Sequence, residues 1–278
     1  MRKSALICVS KHICKLIKRL MKITILGSGT STGVPQVGCT CPVCTSTDPR
    51  DKRLRCSGLI ESGGVRILVD CGPDFREQSL RLPDFQPIDG VLITHEHYDH
   101  VGGLDDLRPF CHFHDVPVYA EPYTAERLMN RIPYCFAEHP YPGVPRIPLV
   151  RVEPNVPFQV VGGAGQKVEV LPLRVVHGRL PILGFRIGNV AWITDMTEMP
   201  EETYAHLEGL DCLFMNALRV MPHPTHQSLA QALEQVERIR PREAYFIHAS
   251  HQLGLHAEVE PTLPPHVHLA YDGLVIEA

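Results

Sequence analysis

The run Thr94-His95-Glu96-His97-Tyr98-Asp99-His100 constrains this chain more than any other feature. Five of its seven residues are metal-ligand or acidic types, and three of them are imidazoles. The preceding Asp89-Gly90-Val91-Leu92-Ile93 reads as a short buried strand. The run therefore sits on the loop leaving a strand end, where α/β proteins place chemistry. The H-x-H-x-D-H spacing offers ligands for two metal ions side by side. Glu96 and Tyr98 fall between the ligand positions and read as spacers or as partners of the ligands.

Metal sites are assembled from residues distant in sequence, so the run needs partners, and three later strand ends supply them. Leu171–Val176 ends in His177, Ala191–Thr194 ends in Asp195, and Tyr245–Ile247 ends in His248. Each pairs an apolar strand with one ligand type at its C-terminal edge. Taken singly, His177 and His248 read as ordinary buried histidines, and Asp195 as a helix N-cap ahead of Glu198. Taken with the histidine run, they form a dinuclear constellation. Neutral imidazole and carboxylate suit Zn²⁺, Mn²⁺ or Fe²⁺. Two such ions roughly 3.5–4 Å apart bring the pKa of a bound water toward 7 and clamp attacking and leaving oxygens.

The rest of the chain reads as strands interleaved with helices. The strand Lys22–Leu26 leads into the glycine-rich Gly27–Gly33. No Gly-Lys-Ser/Thr follows and no helix pattern opens at once, so phosphate-loop and dinucleotide readings fail, and the loop serves a tight turn near the site. Cys56–Glu61 and Val65–Asp70 flank the hairpin signal Ser62-Gly63-Gly64. Gly72–Leu82 has helical spacing, Gly90–Thr94 is the strand that delivers the histidine run, and Val101–Phe113 reads as opening a helix. Val116–Ala120 is a strand and Tyr123–Ile132 a helix. The proline-rich stretch 133–157 reads as a surface insertion overhanging a substrate site. Strands follow at 158–161, 167–176, 184–187, 190–194, 212–216, 244–247, 267–270 and 274–276, with helices at 201–207 and 229–239. No internal repeat or linker divides them. The pattern predicts two sheets with helices outside, in one domain over residues 21–278.

Length and charge narrow the function classes. With 278 residues and 44% apolar content, the chain supports a sizeable core. A net charge of −4 argues against a protein held to DNA or RNA by phosphate contacts. The charge is uneven: residues 1–20 hold six basic residues and no acid, leaving 21 basic against 31 acidic in the remainder, a net −10. The basic extension 1–20 lacks an apolar run long enough for a membrane span or a clear signal peptide. It reads either as an amphipathic surface helix or as sequence upstream of a start at Met21, and the domain needs nothing from it.

Ten cysteines in a chain this large, without an export signal, do not make a disulfide scaffold, and the expected compartment is the cytoplasm. Seven are scattered and read as small buried hydrophobes. The other three form Cys39-x-Cys41-x-x-Cys44, close to zinc-site spacing. His251, three residues beyond His248, is the candidate fourth ligand, provided the segment 248–251 turns helically so that both imidazoles point to a similar side.

These residues together give the chain a resemblance to the metallo-β-lactamase-fold hydrolases, covering essentially residues 21–278. The resemblance implies an α/β (α+β) fold, a four-layer αββα sandwich with a dinuclear site at one edge of its sheets. It implies that His95, His97 and His177 bind one metal, that Asp99, His100 and His248 bind the second, and that Asp195 bridges them, with Asp99 also a proton acceptor. Asp rather than Cys at the bridging position is similar to members acting on phosphoesters and thioesters. The Gly33-Val34-Pro35-Gln36 segment with its cysteine cluster, Arg55-Cys56-Ser57-Gly58, His248-Ala249-Ser250-His251 and Tyr271-Asp272-Gly273 resemble the PhnP-type phosphodiesterases, which open a cyclic ribose phosphate. That resemblance implies a structural Zn²⁺ on Cys39, Cys41, Cys44 and His251. It also implies a catalytic, non-ligand His226 facing the substrate phosphate, with His223 as a second candidate, and a homodimer. The long stretch 133–157 and the segment Asp70–Arg76 depart from the phosphonate-degrading members.

The expected activity is thus hydrolysis of a small cyclic phosphate or nucleotide-like phosphodiester by a metal-bridged hydroxide, using two Zn²⁺ or Mn²⁺ ions. The alternatives are a PqqB-like non-hydrolytic relative, a tRNA 3′-processing nuclease and a thioester hydrolase of the same fold. The nuclease reading lacks a basic arm for RNA.

Overall fold

The computed structural model describes residues 21–139 and 141–278; the basic extension 1–20 lies outside the described residues. Short apolar runs covered on both faces form two seven-stranded sheets. The first contains β1 (Lys22–Gly27), β2 (Ser57–Ser62), β3 (Val65–Val69), β4 (Gly90–Leu92), β5 (Val118–Ala120) and β6 (Leu149–Arg151). The second contains β7 (Phe158–Val161), β8 (Lys167–His177), β9 (Leu180–Ile187), β10 (Val190–Ile193), β11 (Cys212–Asn216), β12 (Glu243–Ile247) and β13 (Val267–Leu269). The last strand, β14 (Val275–Glu277), returns to the first sheet beside β1. Each sheet is antiparallel at one side and parallel at the other: β3 through β6 run parallel, as do β10 through β13.

Side-chain alternation sorts the core into layers. From β3, Ile67 and Val69 face the second sheet while Leu68 faces the helical layer. From β11, Phe214 points between the sheets, and Leu213 and Met215 point to the helix Leu229–Ile239, meeting Ala232 and Val236. The helices Phe75–Leu80 and Pro122–Arg131 cover the first sheet through Phe75, Ala125 and Leu128. The result is two sheets with helices outside, as the pattern predicts, in the αββα order that the resemblance implies.

Three local expectations differ from the structure. Val101–Phe113 is not one helix but a turn of helix at Tyr98–Val101 and two 3₁₀ turns, because Gly102-Gly103 and Pro109 interrupt it. The stretch 133–157 is not all insertion: Leu149–Arg151 is β6, pairing in parallel with β5 at the sheet edge, and Tyr134 and Arg146 tie the preceding residues to Asp105 and Asp115. Nor is 248–251 helical; Ala249 makes a β-bridge to Gly29.

One close inter-sheet contact involves the chain's one tryptophan. Trp192 of β10 lies fully buried over Gly58 of β2, where a Cβ would come within 2.5 Å of the indole ring. Phe214 stacks on the same indole at 5.2 Å. Because the ring is held from both sides, Gly58→Val is expected to destabilise the protein by about 1–3 kcal/mol, read as a lower urea midpoint by tryptophan fluorescence. An unchanged midpoint would show that the sheets do not lock at this contact.

Candidate metal centre

The C-terminal ends of β3, β4, β10, β11 and β12 converge at one edge of the sandwich, and each brings a polar or metal-ligating residue there at or within two residues of its end. Asp70 follows β3, the run 94–100 follows β4, Asp195 follows β10 by two residues, Asn216 closes β11, and His248 follows β12. Asp70, Asp195 and His248 all adopt left-handed backbone, with φ of 57°, 55° and 57°. The chain reverses there, turning each side chain into the edge.

The structure brings all seven sequence-predicted ligands together. His95, His97 and His177 present ligand atoms within 4.8 Å of one another, and so do Asp99, His100, Asp195 and His248. Asp195 joins the two sets through different oxygens. Its Oδ1 lies 3.4 Å from His100 Nε2 and 3.2 Å from His248 Nε2, while its Oδ2 lies 3.9 Å from His95 Nε2. Asp99 Oδ2 is 3.1 Å from His100 Nε2 and 3.5 Å from His248 Nε2. Glu96 and Tyr98 stand outside both sets.

The donor set fits divalent ions. His100 Nε2 and His248 Nε2 are buried, aimed at the two carboxylates, and have no hydrogen-bond partner. The other nitrogens of three ligands are fixed by hydrogen bonds, which set the tautomers. His100 Nδ1 donates to Asp70 Oδ2 at 2.7 Å, and His177 Nδ1 donates to the Thr225 carbonyl at 2.7 Å. His95 Nδ1 donates to the Thr94 hydroxyl at 3.0 Å, which in turn donates to Asp70. Each arrangement leaves an Nε2 lone pair facing the cluster.

Electrostatics make the same demand. Burial, reinforced by neighbouring imidazoles, holds His95 and His97 below the usual histidine range, in the neutral form a ligand needs. Burial opposes ionisation of Asp99 and Asp195, yet the facing His100 and His248 outweigh it and hold both carboxyls well below their usual range. Burial likewise opposes a charged His100, but Asp195, Asp99 and Asp70 override it and push that imidazole up. Three buried carboxylates around one edge require compensating positive charge.

A second cluster stands next to the first. Cys39, Cys41, Cys44 and His251 place their ligand atoms within 4.8 Å of one another, with Cys41 Sγ 3.2 Å from His251 Nδ1. The Cys44 backbone N–H, then His251, lower the Cys41 thiol to about 6, whereas burial pushes Cys44 up to about 11. A tetrad of three thiolates and one imidazole suits a structural zinc. The bridge from Ala249 to Gly29 separates the imidazoles, so His248 enters one cluster and His251 the other.

His226 is placed beside the ligands. Its ring stacks on His248 at 5.0 Å and lies 4.6 Å from His177, and its buried Nδ1 is 3.9 Å from Asp195 Oδ2 without a hydrogen-bond partner. Burial and the imidazoles of His248 and His177 push it down to about 3 against the pull of Asp195. His223 hydrogen-bonds instead with Thr225.

Asp70 was not among the sequence-derived site residues, although Val65–Val69 followed by Asp has the same strand-then-ligand form as Asp195 and His248. Beyond His100, it accepts the Thr94 backbone N–H at 2.9 Å. Gly72 lets this segment approach the ligand turn, since a Cβ there would lie 2.1 Å from the Asp99 carbonyl oxygen. Asn tolerates the left-handed backbone at 70, so Asp70→Asn removes the charge with little strain. It should weaken zinc binding roughly 10–100-fold in competition with a chromophoric chelator, and an unchanged affinity would show that Asp70 does not orient His100.

Comparison with known proteins places these features. Residues 65–249 match the beta-lactamase superfamily domain. A crystal structure described as a new diphosphatase from the PhnP family superposes with a TM-score of 0.84 at 39% identity, covering 93% of this chain and 97% of that one. An octanoyltransferase of Porphyromonas gingivalis is 48% identical over 256 residues, 91% of this chain; the chain spans about half of that relative's length, 51%. Zinc-bound PqqB from Methylobacterium extorquens shares the fold, with a TM-score of 0.74 at 20% identity over 92% of this chain and 100% of that one. No helix among the described residues is long and apolar enough to cross a membrane.

Proposed function

For a chain that belongs to the beta-lactamase superfamily and, within it, to the PhnP family, a hydrolase of the metallo-β-lactamase fold, we propose metal-dependent hydrolysis of a phosphodiester. The substrate is a small cyclic phosphate or a nucleotide-like diester. One observation carries the reading: the two oxygens of Asp195 face two different imidazole sets. A carboxylate so placed suits a pair of ions sharing one bridge.

His95, His97 and His177 would hold one ion, Asp99, His100 and His248 the other, and Asp195 both; imidazole and carboxylate suit zinc or manganese. When bound, such a pair supplies an acidified water and positive charge for the phosphoryl oxygens. The protein's own residues do the rest. Asp70 keeps His100 oriented, and the Thr225 carbonyl does the same for His177. Hydrolysis forms one P–O bond as another breaks, and the proton lost by water must reach the leaving oxygen. Asp99 would accept that proton. His226, neutral near pH 7 beside Asp195, would hold a phosphoryl oxygen through its N–H or pass that proton to the leaving oxygen as the P–O bond breaks. Cys39, Cys41, Cys44 and His251 would hold a structural zinc that fixes the segment following His248. A full ligand set favours an enzyme over a non-hydrolytic relative, and the acidic balance of residues 21–278 favours a small ester over RNA.

The test is hydrolysis of bis(p-nitrophenyl) phosphate with Mn²⁺ or Zn²⁺, alongside cyclic phosphates, dinucleotides and an octanoyl thioester. Turnover of a phosphodiester is expected, with Asp195→Ala falling to background. His226→Ala should lose about 10²–10⁴-fold in kcat, more on alkyl than on p-nitrophenyl leaving groups if it protonates the leaving oxygen and equally on both if it holds a phosphoryl oxygen. No phosphodiester turnover by fully metallated protein, undiminished turnover in Asp195→Ala, or turnover of the thioester alone would overturn the proposal.

A further inference from the structure

Thr197 makes four hydrogen bonds, and every partner is an immediate neighbour of a site histidine. Its backbone N–H donates to the Val176 carbonyl at 2.8 Å, and its hydroxyl accepts the Gly178 N–H at 2.7 Å, so it grips the chain on either side of His177. The same hydroxyl donates to the Thr225 carbonyl at 2.7 Å, and its own carbonyl accepts Gln227 Nε2 at 3.2 Å, so it also grips either side of His226. It lies two residues beyond Asp195, in a segment whose Met196 is clasped through its N–H and carbonyl by the Asn216 side chain at 2.8 and 3.0 Å. The Thr225 carbonyl that takes the Thr197 hydroxyl is also the acceptor for His177 Nδ1.

We propose that Thr197 is a positioning residue that locks the ligand His177 and the substrate-facing His226 into one register with Asp195. The proposal rests on the assignment of those three residues above. The arrangement accounts for how three separate segments, the end of β8, the loop before the helix Leu229–Ile239 and the exit of β10, keep one relative geometry. Neither backbone bond depends on the side chain, so the hydroxyl is the separable part of the brace. Without it, the Gly178 N–H loses its acceptor and the Thr225 carbonyl is left with His177 alone. The His226 segment is then free to drift relative to the metal ligands.

The experiment compares Thr197→Val, which keeps the shape and loses the hydroxyl, with Thr197→Ser, which keeps the hydroxyl. Thr203→Val is the control: Thr203 is fully buried, and its hydroxyl donates to the Arg174 carbonyl at 2.8 Å, three residues before His177 rather than beside it. Zinc affinity by chelator competition and kcat with KM on bis(p-nitrophenyl) phosphate are read for each. Thr197→Val is expected to lose roughly 10–100-fold in zinc affinity and in kcat, Thr197→Ser to stay within about 3-fold of the parent, and Thr203→Val to shift the thermal midpoint without moving zinc affinity. Parental affinity in Thr197→Val, or equal losses in Thr197→Val and Thr197→Ser, would overturn the proposal. Should Thr197→Val not fold, Thr197→Ala carries the same comparison. The affinity readout needs no substrate, so a parent that hydrolyses none of the esters would sink the phosphodiesterase reading and leave zinc affinity to decide the role of Thr197.

Discussion

The structure depends on burying three carboxylates, Asp70, Asp99 and Asp195, at one edge of two apolar sheets. An isolated buried carboxylate is too costly to persist unless it is paired and hydrogen-bonded. The fold answers with five imidazoles, and the buried Nε2 atoms of His100 and His248 are turned toward the carboxylates without a hydrogen-bond partner. The carboxylates and the inward lone pairs therefore call for the same positive charge. Divalent ions satisfy both at once, whereas protonating His100 satisfies the carboxylates alone.

The parallel halves of the sheets make the cluster affordable in backbone terms. Parallel strands end together, so β3, β4, β10, β11 and β12 deliver their terminal residues to one edge. Three of those exits take left-handed backbone at non-glycine residues, a conformation that side chains avoid unless the surroundings enforce it. Enforcement is visible at each. Asp70 is held by Thr94 and His100, the Asp195 segment by Asn216 through Met196, and the chain after His248 by the bridge from Ala249 to Gly29. The cysteine cluster fastens the same stretch at His251, so the two clusters share one short run of chain.

Much of this was legible in the sequence because the ligands obey a simple local rule: an apolar strand followed by one residue capable of binding a metal. The rule located His177, Asp195 and His248, and the spacing within residues 95–100 supplied the rest. It also fits Asp70, but the partner of Asp70 is another side chain, and a sequence shows an acceptor without showing what it faces. Thr197 was illegible for a stronger reason, since all four of its bonds run to residues far away in the chain. The broken helix after Val101 has a similar origin. Gly103 approaches the Gly72 carbonyl too closely for any side chain, a tertiary contact that no local periodicity encodes. The bridge at Ala249, which keeps 248–251 from turning helically, arises in the same way, from pairing with the glycine-rich loop.

On the proposed reading this edge holds two ions beside a separate cysteine-bound ion. The metal count per chain, taken by native mass spectrometry on protein reconstituted with zinc, tests it most directly. About three ions per chain are expected, one in the thiolate cluster and two in the histidine cluster. A protein that stays folded and takes up only one ion, or none, would contradict it.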